Sequence, residues 1–217
     1  MTIVVFDLDG TLVDSAPTIA AVASRVATEL NLAPVSIAET ISLVGKGADN
    51  FVRQMLAARG QTSDAAFADA VSRFKAHYAT TPTGATQPMQ NAIAALDRLA
   101  NAGHVLGLCT NKPTRPTELE LETLGWTNRF RSVICGDTLA VRKPDPEPLR
   151  LAIHELGNGA ALFVGDSETD AATAEAANVP FLLYTKGYRK TPVADLPHTA
   201  AFDDFAELSQ LVANHAS

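Results

Sequence analysis

The chain has 217 residues, 47% hydrophobic and 19% charged, enough for one large domain or two modest ones with a real core. No apolar stretch approaches membrane-spanning length, and a formal charge of -7 without a Lys/Arg cluster argues against a nucleic-acid-binding surface. The N-terminus reads directly into an apolar strand, with no basic segment ahead of a signal-like core, so a cytoplasmic location is expected.

Taken in chain order, Ile3 to Phe6 is a short apolar run that reads as a buried strand and ends in "DLDGT". Apolar residues at 19, 22, 23, 26 and 30 recur at helical period, which predicts an amphipathic helix over 16–31. Further helical patterns cover 47–59 and 63–79, each closed by Gly or Pro signals, and "TTPTGATQP" at 80–88 reads as a loop. The rhythm then changes. Helices at 89–102, 115–124, 146–156, 168–177 and 204–214 alternate with the apolar runs "VLGLC", "SVIC", "ALFVG" and "PFLLY". Short apolar runs alternating with helices predict an α/β protein, a doubly wound parallel sheet with a Rossmann-like core. Residues 1–14 and 83–217 form that core, and 15–82 are an α-helical cap inserted after the first strand. Cys109 and Cys135 each end an apolar run, which fits buried free thiols better than a disulfide or a metal pair. The five histidines show no ligand spacing and read as surface or capping residues.

Ligands of an open parallel sheet bind beyond the carboxyl ends of its strands. The residues just past each apolar run are therefore decisive. After the first run come Asp7 and Asp9, whose one-residue separation points both side chains to the same side. After "VLGLC" come Thr110, Asn111 and Lys112; after "SVIC", in a proline-rich loop, comes Lys143; after "ALFV" comes "GDSETD", with Asp166 and Asp170. Like charges held this close repel and call for compensation. Carboxylate oxygens with room for water suit Mg²⁺, and a hydroxyl with an ammonium suits the remaining oxygens of a phosphate. Singly, each piece has a plainer reading: an Asp-Gly turn, a loop opening a helix, a surface lysine, a helix cap. A calcium loop is excluded, because that alignment puts Val5 at the first ligand and Ala16 at the last.

On "DLDGT", Thr110, Lys143 and "GDSETD" the chain resembles the haloacid dehalogenase superfamily of phosphohydrolases. On "FDLDGTLVDSAP", "VGKGAD", "TNKP", "KPDPEPL", "LFVGDSETDAATAEAANVP" and "KGY" it is similar to the phosphoglycolate phosphatase branch, over residues 1–188. The resemblance implies that Asp7 is the nucleophile that forms an aspartyl-phosphate, and that Asp9 is the general acid and then the base. It implies Mg²⁺ held by Asp7, the Asp9 backbone carbonyl and Asp166, with Asp170 in the outer shell. Thr110 and Asn111 would hydrogen-bond the phosphoryl oxygens, Lys143 would offset charge, Gly10 would let the backbone approach the phosphoryl group, and the cap would close and select the substrate. "TQPM", where the branch more often has a proline-glycine turn, and Glu168 and Thr169, where relatives often carry Arg and Asn, depart from the branch pattern.

The expected activity is Mg²⁺-dependent hydrolysis of a small phosphate ester, 2-phosphoglycolate first, by a monomer or homodimer. Asp9 argues against a haloacid dehalogenase, and Lys46 and Lys75, the only cap lysines, read more simply as surface or anion contacts than as a Schiff-base lysine. Phosphatases of other small esters, a sugar-phosphate mutase and a phosphate- or metal-binding module without activity are the alternatives. In "VGKGADNF" Lys46 stands between two glycines ahead of a helix start, which suits a substrate carboxylate; a plain interhelical turn with an exposed lysine reads equally well from residue types alone.

Overall fold

The computed structural model describes residues 1–215. From the N-terminus, β1 (Ile3–Phe6) and the short β2 (Val13–Asp14) lead into four helices, α1 (Ala16–Glu29), α2 (Ile37–Leu43), α3 (Ala48–Ala57) and α4 (Asp64–Tyr78). The chain returns through β3 (Gln87–Pro88) and then alternates: α5 (Ala92–Asn101), β4 (Val105–Cys109), α6 (Thr114–Thr123), β5 (Ser132–Ile134), α7 (Glu147–Glu155), β6 (Ala161–Gly165) and α8 (Glu168–Ala177). Strands β7 (Phe181–Tyr184) and β8 (Ala200–Phe202) and helix α9 (Leu208–His215) complete it. Six strands form one sheet in the order β5-β4-β1-β6-β7-β8, every neighbouring pair parallel.

Period-two side-chain alternation explains why the strands are apolar throughout. Val4 and Phe6 of β1 join a cluster with Leu96 and Leu99 of α5 and Leu208 and Val212 of α9. Ile3 and Val5 join a second cluster with Leu149 and Ala152 of α7 and Ala171 and Ala174 of α8. This central strand thus buries both faces under helices. The first four helices have a hydrophobic cluster of their own, built on Val22, Val26, Phe51, Met55 and Phe74. Where the chain leaves the sheet for these helices and where it returns, it is paired: β2 and β3 are antiparallel, Val13 opposite Pro88 and Asp14 opposite Gln87.

Several elements differ from expectation. Helix α2 is additional: its seven residues bury only Thr40 fully, so it carries little apolar periodicity, and its start is fixed by the Ser36 hydroxyl accepting from the Glu39 N–H at 3.1 Å. The 80–88 loop contains β3, and the start of α5 is delayed to Ala92 by the left-handed Asn91, φ 63°. Strand β8 is a short edge with one buried residue, and α9 is preceded by a single 3₁₀ turn at Phe205–Glu207. No helix among the described residues is long and apolar enough to cross a membrane.

Candidate active site

Register makes the strand ends level. Phe6 pairs with Leu108 on one side and Val164 on the other, so Asp7, Thr110 and Asp166 leave the sheet at one edge. The backbone N–H of Asp7 continues the ladder onto Val164 at 2.9 Å, and that of Thr110 donates to the Ile134 carbonyl at 2.9 Å. Lys143 and Asp170 reach the same edge from the loop after β5 and the first turn of α8. A cavity beneath helices α1, α3 and α4 is lined at this edge by Asp7, Asp9, Thr110, Lys112 and Lys143. Its opposite wall is apolar, from Ile19, Val44, Phe51 and Phe74. Lys46 is exposed and borders a neighbouring cavity whose lining also includes Asp7, Asp9 and Asp166.

Asp7 and Asp9 stand in different company. Lys143 Nζ lies 2.8 Å from Asp7 Oδ1 and donates at 2.6 Å to Asp170 Oδ1. The other Asp170 oxygen accepts from the Ser167 hydroxyl at 2.6 Å and its N–H at 3.1 Å, closing a capping box at the start of α8. Asp166 is fixed by the Thr11 hydroxyl and the Tyr188 N–H, each donating at 2.6 Å. Burial, reinforced by Asp170 and opposed by Lys143, raises the Asp7 carboxyl to about 7. Burial, with Asp170 and Asp7, likewise pushes Asp166 well above the ordinary carboxylate range. Burial also works against the Lys143 charge, but Asp170 and Asp7 outweigh it and hold the ammonium above its usual value.

The side chain of Asp9 points to other partners. Its Oδ1 accepts from the Ser15 hydroxyl at 2.5 Å and from Lys112 Nζ at 2.9 Å. Lys112 also donates at 2.7 Å to Glu120 Oε2, and Thr86 donates to the same oxygen at 3.2 Å. Burial opposes the Lys112 charge, yet Asp9 and Glu120 outweigh it and hold the lysine well above its ordinary value. Glu120 is fully buried, and that burial raises its carboxyl against the pull of Lys112.

The donor set fits a divalent cation. Asp7, Asp166 and Asp170 are all buried and present oxygens within 4.8 Å of one another, against one neutralising ammonium, Lys143. Three carboxylates facing one lysine leave a surplus of negative charge that a hard cation would offset. The Asp9 carboxylate is not in this cluster.

Two of the expected phosphoryl-binding residues have protein partners of their own. Asn111 is expected to hydrogen-bond the phosphoryl oxygens; it lines the cavity, and its Nδ2 donates to the carbonyls of Gly45 and Lys143, both at 2.9 Å, which uses both side-chain amide hydrogens. It ties the loop carrying Lys46 to the loop carrying Lys143. Gly10 is expected to admit the phosphoryl group, and it lines neither cavity. It has φ +87°, and a Cβ there would meet Asp166 Oδ2 and Tyr188 Cδ2 at 2.7 Å, so its bareness makes room for those side chains.

Lys112, Glu120, Thr11, Ser15 and Tyr188 join the site although sequence reasoning does not single them out for a role. The Tyr188 hydroxyl donates to Asp14 at 2.6 Å and accepts from the Ala16 N–H at 3.0 Å, bracing the start of α1. Lys112 does lie just past a strand end, which is a usable signal. Glu120, within the acidic stretch "TELELET", gives none.

Known proteins match this arrangement. The family model described as haloacid dehalogenase-like hydrolase matches residues 4–184. The chain is 46% identical over 210 residues to a phosphoglycolate phosphatase of Cereibacter sphaeroides, covering 96% of each chain. It is 45% identical over 212 residues to a phosphoglycolate phosphatase of Rhodospirillum rubrum, covering 94% of this chain and 88% of that one. A crystal structure titled a predicted phosphoglycolate phosphatase from Haemophilus somnus superposes with a TM-score of 0.90 at 28% identity, covering 97% of both chains.

Proposed function

The chain belongs to the haloacid dehalogenase-like hydrolase family, and from that membership we propose that it hydrolyses 2-phosphoglycolate to glycolate and phosphate through an aspartyl-phosphate on Asp7. The observation that carries the reading is the pair of aspartates at the end of β1, one facing Lys143 and the carboxylate cluster, the other facing Ser15 and Lys112. The names of the relatives support the substrate.

In this reading an Asp7 oxygen attacks phosphorus as the bond to the glycolate oxygen breaks, and Asp9 gives that oxygen its proton. Asp9 then takes a proton from water, which attacks phosphorus and frees Asp7 and inorganic phosphate. Thr110, buried at the end of β4, donates its hydroxyl to a phosphoryl oxygen, and Lys143 offsets charge on Asp7 and on the phosphoryl group. Asp7, Asp166 and the Asp9 backbone carbonyl, with Asp170 behind them, would hold a divalent cation, which we take to be Mg²⁺. When bound it favours ionised Asp7 and polarises a phosphoryl oxygen. Asp170 keeps Lys143 in place by its 2.6 Å hydrogen bond.

Residues 15–82 serve as the cap over this edge, excluding bulk water. The apolar wall of Ile19, Val44, Phe51 and Phe74 suits a two-carbon ester and offers few partners to sugar hydroxyls. Lys46, at the rim and without an ion-pair partner among the described residues, reads the substrate carboxylate. A cytoplasmic setting belongs to the same reading, in keeping with the free, buried thiols of Cys109 and Cys135.

The test is a steady-state survey of small phosphate esters with Mg²⁺, including 2-phosphoglycolate, sugar phosphates, pyrophosphate and p-nitrophenyl phosphate. We expect the highest kcat/KM for 2-phosphoglycolate. A preference for sugar phosphates, or net isomerisation without phosphate release, would overturn it.

A further inference from the structure

The most unusual polar feature outside the carboxylate cluster is a buried lysine held between two acids. The Lys112 side chain is 1% exposed and that of Glu120 is 0% exposed, and Lys112 Nζ is 2.9 Å from Asp9 Oδ1 and 2.7 Å from Glu120 Oε2. Taking an ammonium and a carboxylate out of water is costly before their attraction is counted, and apolar residues of similar volume often serve stability as well or better. Stability alone is thus a weak reason for this pair. Its position suggests a stronger one, because one end of the lysine touches the residue read above as the acid and base.

The pair is also anchored. Glu120 Oε2 accepts from Thr86 Oγ1 at 3.2 Å, and Thr86 Oγ1 lies 3.0 Å from Thr18 Oγ1. Thr86 is on the segment by which the chain returns from the helices, and Thr18 is in the first turn of α1, by which it leaves. A chain of hydrogen bonds therefore runs from both crossings through Glu120 and Lys112 to Asp9. Besides Lys112, the Asp9 carboxyl has only the Ser15 hydroxyl among the described side chains, donating to the same Oδ1.

We propose that Lys112, braced by Glu120, is a positioning residue that holds the Asp9 carboxyl at the angle from which it delivers a proton to the leaving oxygen. Lys112 has three N–H donors and spends one on Asp9 and one on Glu120. Two ionic anchors 2.9 and 2.7 Å away leave the ammonium little freedom, so the Asp9 carboxyl it grips is restricted to a narrow range of rotation. Without that grip Asp9 loses alignment, and misalignment of a catalytic group by about 1 Å costs on the order of 10²-fold.

The inference rests on Asp9 being the acid, and the test separates the two. An alkyl phosphate needs its leaving oxygen protonated, whereas p-nitrophenolate leaves without help. Replacing Lys112 alone strands Glu120, so the decisive variant is the double substitution Lys112→Met/Glu120→Leu, which removes both charges and keeps the volume apolar. We expect its kcat/KM for 2-phosphoglycolate to fall on the order of 10²-fold, and that for p-nitrophenyl phosphate to fall less than about threefold. In an Asp9→Asn background the double substitution should cost nothing further on the alkyl ester. Equal losses on both esters, or full additivity with Asp9→Asn, would overturn the positioning role. If Asp9→Asn alone shows no dependence on the leaving group, the assignment of Asp9 as acid fails instead.

Discussion

Two carboxylates separated by one residue end the same strand, yet they face two differently built regions. On the Asp7 side, three buried acids share one lysine, and burial, reinforced by Asp170 against the pull of Lys143, raises the Asp7 carboxyl to about 7. On the Asp9 side, two acids share one lysine; burial raises the Glu120 carboxyl, while Asp9 keeps contact with a hydroxyl and a cavity. The contrast teaches how one strand end can supply two chemistries. The Asp7 region is short of positive charge, which a bound cation would offset, whereas the Asp9 region is internally bridged. Environment, more than residue type, sets apart two acids of identical structure.

The comparison can be broken most severely at Asp7. Asp7→Asn replaces a nucleophilic oxygen with an amide, and we expect no measurable turnover of any ester with the fold retained by circular dichroism. Excess chelator should likewise abolish wild-type turnover and Mg²⁺ restore it, while Ca²⁺, content with more ligands and longer bonds, should occupy the site without supporting activity. Asp9→Asn leaves the Asp7 region intact and removes only proton transfer, so the expected loss in kcat is on the order of 10²–10⁴-fold.

Lys46→Ala lies at the edge of both regions. Loss of one charge-assisted contact to the substrate carboxylate should cost about 1.5–3 kcal/mol, roughly ten- to hundred-fold in kcat/KM for 2-phosphoglycolate. It should leave p-nitrophenyl phosphate nearly unaffected; equal losses would remove Lys46 from recognition.

The smallest effect is on stability. Unfolded Asp7 titrates near 3.8 and folded Asp7 near 7, so the metal-free folded state binds the extra proton between these values. Its stability therefore falls as pH rises through that window, and Asp166 has the same sign. Metal-free Asp7→Asn should lack much of this slope and melt above the wild type at pH 8, by a few degrees per kcal/mol, roughly 2–4 °C each. Parallel melting curves between pH 5 and 8 would show that the folded Asp7 and Asp166 carboxyls are not raised as described.

The strand-end chemistry was legible in the sequence because a parallel sheet puts every carboxyl end on one edge. Locating the runs before Asp7, Thr110, Lys143 and Asp166 was enough to group those residues. The alternation of apolar runs and helices gave the layers for the same reason. The hidden remainder depends on tertiary approach. Glu120 looks like one exposed acid among several on α6, and only packing against Lys112 and Thr86 buries it. Asn111 sits where a phosphate ligand is expected, but two backbone carbonyls from separate loops converge on its amide. Helix α2 and strands β2, β3 and β8 are short or lightly buried, so hydrophobic periodicity had too few residues to register.

The central claim is that Asp7, and not Asp9, becomes covalently phosphorylated. The most direct measurement quenches a single turnover of 2-phosphoglycolate in acid, reduces the acyl phosphate with borohydride and maps the peptide by mass spectrometry. Homoserine at position 7, with position 9 still aspartate, is the predicted result. Homoserine at position 9, or a quenched turnover that releases phosphate with no reducible acyl phosphate at any time point, would contradict it.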